Sequence, residues 1–523
     1  MSGQRGELMV VAAALLATLP FVSKAFHIDD AAYIERAEGG TALDARDLSV
    51  FAAQGRTPDP FEAMSHPPLV PSLIALDARL AGGVRELPQH LLFVAFPVVA
   101  AVSLFRLAGH WMPDPVWPTL LIVTSPVFVL SGQSVMTDMP MLALSLLSLA
   151  ALAEGVRRGR WSWVVLSGVA AGLAMLTRYV ALGLLPLLFV LELTQRRRAG
   201  AAAVAAAVAA AIAGTWALHE WAGHGTLHLL AAARHYFRYY AEDAFTLHAT
   251  ALKALSDTAA LGGAMLAPAL ASVGDRPRAA LASFAGGAAV AFAGPLPELQ
   301  YYTLVQRAAL AAFLGLGLFA LVLAMAPRRV FLLIWLAGAL VTAMVLLPFG
   351  ASRYMLPAIA PLALLAFGDM RNGSGRWAAA VATNIALSLG LSVVDWSHAE
   401  AYRAFARSFH PAGRVWFVGE WGFRHYMRQA GHAYLRPDDR SPAPGDWIVR
   451  AELAGLHEVD ADVRRRAPVT AVSDADCALP LRLMGFAAKA GFYSHAWGLL
   501  PYSVSRASLE RFEIRRVQAG GGP

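Results

Sequence analysis

M-P-M-L-A-L-S-L-L-S-L-A-A-L-A-E-G-V-R-R-G-R, residues 139–160, is the stretch that decides the fold. Met139 to Val156 is a nearly unbroken apolar run, and a helix of roughly 20 apolar residues crosses the hydrocarbon core of a bilayer. Arg157, Arg158 and Arg160 follow at once. A short cationic cluster at the end of such a run marks the cytoplasmic end of a membrane span.

The same unit recurs outward in both directions. Apolar runs at 8–26, 89–108, 116–134, 139–156, 161–177, 179–194, 200–219, 250–272, 279–294, 303–326, 330–349, 354–370 and 377–396 predict a mainly α, polytopic membrane protein with about 13 transmembrane helices. Further Arg clusters are Arg196 to Arg198, Arg276 with Arg278, Arg328 with Arg329, and Arg371 with Arg376. Each follows an even-numbered run. That alternation puts the N-terminus and every cluster in the cytoplasm, and one missed helix would break it. The alternate short loops, near Thr137 and Gly294, carry almost no Lys or Arg. Leu8 to Phe26 has no small-x-small cleavage site before His27, so it reads as an uncleaved span rather than a signal peptide.

Composition agrees. Of 523 residues, 57% are hydrophobic and only 15% charged, against a usual charged share of about 25%. The net charge of +7 lies in the short Arg clusters between apolar runs, so it marks topology and not nucleic-acid binding. Cys477 is the single cysteine, so no intrachain disulfide forms.

Three segments outside the runs are long: 27–88, 220–249 and 397–523. The alternation puts all three on the non-cytoplasmic side. In the first external loop, 27–88, Asp29 to Arg36 and Asp44 to Gln54 read as short helices. His66-Pro67-Pro68 leads into Leu69 to Leu80, too short to span and suited to a re-entrant or interfacial helix. The tail is richer in charge and glycine. Arg414 to Val418, Asp446 to Arg450 and Val469 to Val472 read as strands, and Phe423 to Gln429 as a helix. The expected division is a transmembrane part, 1–396, and an exported C-terminal α/β domain, 397–523, of about 120 residues.

Residues suited to chemistry gather on the same face. Asp29 and Asp30 stand side by side after the first run. An N-cap explains one of them, but adjacent like charges repel. Asp138, in T-D-M-P, is the acid of the next external loop. Such acids serve as a general base on a hydroxyl or hold a divalent cation, and that alternative stays open. Arg178 in L-T-R-Y and Arg353 in A-S-R-Y-M-L-P lie at the same interface, against the positive-inside trend. Snorkelling is the plain reading of each; an anion site, with forked donors on phosphate oxygens, is the functional one. His66 adds a donor. His219, His224 and His228 are loosely spaced and lack a completing Cys or Asp, so no metal site is assigned. Asp395 and His398 read as an interfacial helix end. No nucleotide-binding, hydride-transfer or metalloprotease motif occurs.

Together these motifs resemble the GT-C glycosyltransferases of the protein O-mannosyltransferase and aminoarabinose transferase type (glycosyltransferase family 39 and relatives). The likeness covers residues 1 to about 400 and rests on D-D-A-A-Y at Asp29 to Tyr33, H-P-P-L at His66 to Leu69, T-D-M-P around Asp138, L-T-R-Y at Arg178 and R-Y-M-L-P at Arg353. It implies a GT-C-like catalytic domain and a sugar donor linked to polyprenyl phosphate. Asp29 would be the base, with Asp30 and Asp138 in the catalytic set. Arg178, Arg353 and His66 would hold the donor phosphate, and Tyr33, Tyr179 and Tyr354 would bind substrate. Family members often carry Lys where this chain has His66 and Arg178. The aminoarabinose branch often has an acid where this chain has Ser65. The acceptor would be a glycan, lipid or protein hydroxyl, and the site a bacterial-type inner (plasma) membrane. The competing readings are a transporter or flippase of a lipid-linked or anionic substrate, and a polymerase or ligase using a diphosphate-linked donor.

Overall fold

The computed structural model describes residues 3–40, 43, 55, 61, 66–327, 329–368 and 374–519. The helix expected at 44–54, together with Arg328 and Arg371, lies outside the described residues. The chain is mainly helical, with a small β-containing region at its C-terminal end.

Every expected apolar run is occupied by helix, but the runs are not all crossing helices by length. Among the described residues six are long and apolar enough to cross a membrane: Glu86–Ala108, Asp138–Arg158, Tyr179–Arg196, Gly200–His224, Leu304–Ala324 and Gly375–Ser408. A seventh arises if Leu247–Ala264 and Leu266–Asp275, bent by 74°, form one span. The count of about 13 full spans is therefore not reproduced.

The shortfall has local causes. Run 116–134 splits into Val116–Val123 and Pro126–Gly132 because Ser125 is extended, at φ −67° and ψ 148°. The ring of Pro126 disfavours helix at the residue before it. Pro268 has no N–H for the Ala264 carbonyl and crowds it, which bends the chain at Met265. Run 330–349 is a helix, Val330–Val341, then a single π turn, Thr342–Leu346. The stretches after the first and last of these breaks lead to Asp138 and to Arg353, two residues of the site described below.

The last helix outruns its apolar segment. It is expected over 377–396 and continues to Ser408. No proline interrupts the chain before Pro411, so nothing local stops it. Asp395 and His398, expected at an interfacial helix end, therefore lie well inside the helix.

The expected strands and helix of the tail are present. A five-stranded sheet contains β1 (Val415–Val418), β2 (Ala433–Tyr434), β3 (Trp447–Ala451), β4 (Val469–Ala475) and β5 (Glu510–Arg516), in the order β2-β1-β3-β5-β4. β1 is parallel to β2 and β3, while β5 is antiparallel to β3 and β4. Helix Trp421–Gln429 joins β1 to β2. Tyr402 and Phe405 of the long helix share one buried core with Phe417, Phe423 and Phe512 of this region, and the Phe405 and Phe512 rings stack at 4.1 Å.

Candidate functional site

Four charged side chains from four separate elements meet at one point. Asp29 precedes helix Asp30–Ala37, and Asp138 opens helix Asp138–Arg158. Arg178 sits in the extended turn between Trp161–Met175 and Tyr179–Gly183. Arg353 lies in the short turn Ser352–Met355 that leads into Leu356–Phe367.

Arg353 is the hub. Its Nη2 is 2.8 Å from Asp29 Oδ2 and its Nη1 is 3.7 Å from Asp138 Oδ2. Nη1 also lies 3.6 Å from Met136 Sδ. Arg178 Nη1 donates to Asp138 Oδ1. The ring of Tyr354 carries both guanidinium groups, at 5.3 Å for Arg178 and 5.2 Å for Arg353. A shared ring and a shared carboxylate offset the repulsion between the two cations. Asp138, Arg178 and Arg353 are buried, and Asp29 is 35% exposed.

This geometry separates capping from function. Asp29 occupies an N-cap position but makes no capping bond, and Thr137 before Asp138 makes none either. Both acids direct their oxygens to arginine instead. Arg178 Nε and Arg353 Nε are buried without an acceptor among the described residues. An orphaned buried donor costs about 1–3 kcal/mol, so the pair is suited to an anion that supplies the missing acceptor. The alternative of a cation between the two acids meets two guanidinium groups in the same space, and the donor set fits an anion better.

One side of the cluster opens into a cavity of about 300 Å³. Asp138, Arg178, Arg353 and Tyr354 form its polar end. The remaining wall is almost wholly apolar, from Leu142 and Leu149, from Leu184 to Val190, and from Ile334 to Ala343. Asp29 is not in that wall; it lies across Arg353, on the more exposed side.

The other expected site residues are placed as follows. Tyr33 Oη is 3.2 Å from Thr137 Oγ1, and its ring stacks on His66 at 6.0 Å. That pair ties the first loop to the Asp138 loop. Tyr179 hydrogen-bonds His228 Nδ1 and is not among the residues lining the cavity. His228 also meets Trp216 and Phe61, and His224, at the end of the preceding helix, stacks on Phe61.

Asp30 differs from the expectation of a catalytic acid. It is fully buried, and its oxygens accept from the backbone N–H of His27 at 3.0 Å and of Val135 at 2.9 Å. It therefore joins the segment bearing Asp29 to the segment bearing Asp138. Between His27 and Asp29, Ile28 has φ +46°, a conformation that β-branched residues avoid. Asp30 and its two donors hold that strained turn closed.

Burial, above all, pushes the Asp30 acid up to about 7, against the pull of Lys24 and the two N–H donors. A carboxyl raised in the folded state makes the fold lose stability as pH climbs from its unfolded value near 4 towards 7. The thermal midpoint of the wild type in detergent should therefore fall across that window. The midpoint of Asp30→Asn should fall less. Parallel curves for the two proteins would refute this.

Sequence reasoning missed the shell behind this cluster. Lys24 Nζ pairs with Asp395 Oδ2 at 3.0 Å, and Tyr493 donates to Asp395 Oδ1 at 2.8 Å. Lys24 and Asp395 are both fully buried. The signal was present: a Lys at the end of one apolar run and an Asp in another are costly unless paired. What the sequence lacked was any sign that residues 24 and 395 meet.

The family model of dolichyl-phosphate-mannose-protein mannosyltransferase matches residues 65–221, which include His66, Asp138, Arg178 and Tyr179. The resemblance read from the motifs, to GT-C glycosyltransferases of this type, is thereby borne out. A search of curated proteins gives no match. Among solved structures, the chain is similar to apo ArnT from Cupriavidus metallidurans, at 13% identity over 99% of this chain and 98% of that one, with a TM-score of 0.43. ArnT of the same organism bound to undecaprenyl phosphate gives 15%, 89%, 96% and 0.40. The oligosaccharyltransferase AglB from Archaeoglobus fulgidus, in complex with an inhibitory peptide and a dolichol-phosphate, gives 11%, 86%, 69% and 0.38.

Proposed function

We propose that this chain is a membrane glycosyltransferase that moves a sugar from a polyprenyl-phosphate carrier to an acceptor hydroxyl, with inversion. The reaction takes place on the non-cytoplasmic face of a bacterial-type plasma membrane, with the N-terminus in the cytoplasm. Residues 1–396 form the catalytic membrane domain, and residues 397–523 are exported. The observation that carries the reading is Arg353, bridging Asp29 and Asp138 at the polar end of an apolar cavity.

Each part of the substrate has a matching environment. The prenyl chain lies along the apolar wall between helices Asp138–Arg158, Leu184–Arg196 and Val330–Val341. The phosphate meets Arg178 and Arg353, whose Nε donors are unspent. Asp138 orients both guanidinium groups and partly neutralises them, so the phosphate binds without excess cost to its release. Asp29 lies beyond Arg353, where an acceptor enters from the exposed side. Asp29 takes the acceptor's proton as its oxygen attacks the anomeric carbon, and the C–O bond to phosphate breaks. The departing phosphate keeps the bond electrons and gains charge, which the two arginines stabilise. Attack opposite the leaving group inverts the sugar. Tyr33 and His66 support the Asp138 loop and the acceptor side.

A transporter needs polar groups along a path through the bundle. Here the buried ion pairs crowd one end. Lys253 Nζ donates to the Leu347 carbonyl, and Asp257 Oδ1 abuts the Gly350 position, both on the Arg353 loop. Lys24 and Asp395 lie behind Asp30. This favours chemistry at a mouth.

The test is transfer in detergent or vesicles from a radiolabelled polyprenyl-phosphate sugar, with a diphosphate-linked donor beside it. Transfer from the monophosphate donor is the expected result. Transfer from the diphosphate donor alone would support the polymerase or ligase reading, and flipping of either lipid without transfer would support the transporter. The cavity gives a second check. Gly338 lines it, and a side chain there meets nothing within 4 Å. Gly338→Trp should fold normally and raise KM for a long-chain donor by about tenfold, while a short-chain donor is used as before. Equal effects on both donors would remove the lipid from this cavity.

A further inference from the structure

Two arms bring the reactive groups together. One is the turn at 27–30, which carries Asp29. The other is the loop at 347–355, which carries Arg353. Besides the Val135 bond to Asp30 and the Lys253 bond to Leu347, both arms are gripped by one short stretch of the C-terminal region, Phe492 to His495.

The Arg353 arm is gripped three times. Gly350 N–H donates to His495 Nδ1 at 2.7 Å, and His495 N–H returns a bond to the Gly350 carbonyl at 2.8 Å. Ser352 N–H donates to the Phe492 carbonyl at 2.9 Å. Gly350 is pressed against helix Leu247–Ala264, where a Cβ would lie 2.8 Å from Ser256 Cβ. The loop therefore has little room to shift. Because the donor to Nδ1 is a backbone N–H, the imidazole must present an unprotonated Nδ1.

The Asp29 arm is gripped through a relay. Tyr493 donates to Asp395 Oδ1, and Asp395 Oδ2 holds Lys24. His27 Nε2 stands 3.6 Å from Asp395 Oδ1, and the His27 and Tyr493 rings meet edge to face at 5.7 Å. His27 N–H then bonds Asp30, the residue after Asp29. The stretch is itself anchored. Phe492 N–H bonds the Leu483 carbonyl at 2.8 Å, Met484–Gly485 pairs with Ala490–Gly491, and a Cβ at Gly491 would lie 2.0 Å from the Gly498 carbonyl oxygen.

We infer that Phe492–His495 is a positioning element of the active site, with Tyr493 setting the Asp29 arm and His495 setting the Arg353 arm. The exported region is then part of the catalytic apparatus and not an appended module. The catalytic half of the inference rests on the function proposed above; the mechanical half does not.

The test uses the full-length protein with His495→Ala, His495→Asn and Tyr493→Phe. Asparagine keeps an acceptor near the place of Nδ1. The first readout is amide hydrogen exchange, which needs no activity. Residues 347–355 should exchange at least about tenfold faster in His495→Ala, and residues 27–30 faster in Tyr493→Phe. The second is transfer kinetics. Small misplacements of reacting groups cost up to about a hundredfold, so kcat of His495→Ala should fall about ten- to a hundredfold. KM for the lipid donor should stay within about threefold, because the cavity wall is untouched, and His495→Asn should recover most of kcat. A purely structural role would lower the yield of folded protein and leave kcat per folded molecule intact. Unchanged exchange in both arms overturns the inference. So does faster exchange with unchanged kcat. If the wild type transfers from no polyprenyl-phosphate sugar, the proposed function fails, and exchange alone decides whether the clamp exists.

Discussion

Arg353→Ala should abolish transfer, lowering kcat/KM by about a thousandfold or more. Removing a single preorganised donor aimed at developing charge costs about a hundred- to a thousandfold in typical sites. Arg353 does more than that. Its guanidinium separates Asp29 from Asp138 and contacts both. Without it, Asp138 keeps only Arg178 and the partly exposed Asp29 loses its ion pair; breaking one side of a fully buried ion pair costs about 3–5 kcal/mol, and the half-open position of Asp29 lowers that figure. Arg353→Lys keeps the charge, but one ammonium cannot reach both acids with a fixed fork, so it should restore only a small part of the rate. The check is kcat/KM with a labelled polyprenyl-phosphate donor, together with the thermal midpoint. Activity of Arg353→Ala within about threefold of wild type would remove it from the site.

Asp29→Asn should lower kcat by about a hundred- to ten-thousandfold, the usual contribution of a positioned general base, and leave donor KM nearly unchanged. Asparagine keeps the shape and can still accept from Arg353 Nη2, so the arm should stay in place. What is lost is the ability to take a proton. Asp138→Asn makes the useful contrast. Asp138 lines the cavity and orients Arg178, so its loss should act chiefly on donor KM. If the two variants behaved alike, or if Asp29→Asn kept full kcat, the assignment of Asp29 as base would fail.

Much of the architecture could be read from local patterns. Each apolar run marked a helix because burying a helical segment in lipid depends on composition within that segment alone. The strands and helix of the tail were legible for the same reason. The number of full spans was not. A proline such as Pro126 or Pro268 breaks a helix without changing the apolar content of the run, so hydropathy counts one span where the backbone makes two pieces.

The candidate residues were also visible, since Asp29, Asp138, Arg178 and Arg353 are charges at the ends of apolar runs. Their division of labour was not. Asp29 and Asp30 are indistinguishable in sequence. One faces Arg353 and the other is sealed against two backbone N–H groups. Both stand at the start of one helix, where successive side chains are turned by roughly 100°, so the two acids leave the backbone in different directions.

The sequence by itself determined that this chain is a mainly helical membrane protein with a C-terminal β-containing region, and which charges stand at the ends of its helices. Those properties are set within about 20 residues of chain at a time. Only the tertiary structure decided that four of those charges form one cluster at the head of an apolar cavity. It alone decided that Asp30 joins two loops and does not face the cavity, and that residues near 24, 350, 395 and 493 close around them. Such contacts join segments from 40 positions apart, for Arg178 and Asp138, to 371, for Lys24 and Asp395, and no local pattern encodes which distant partner satisfies a buried charge.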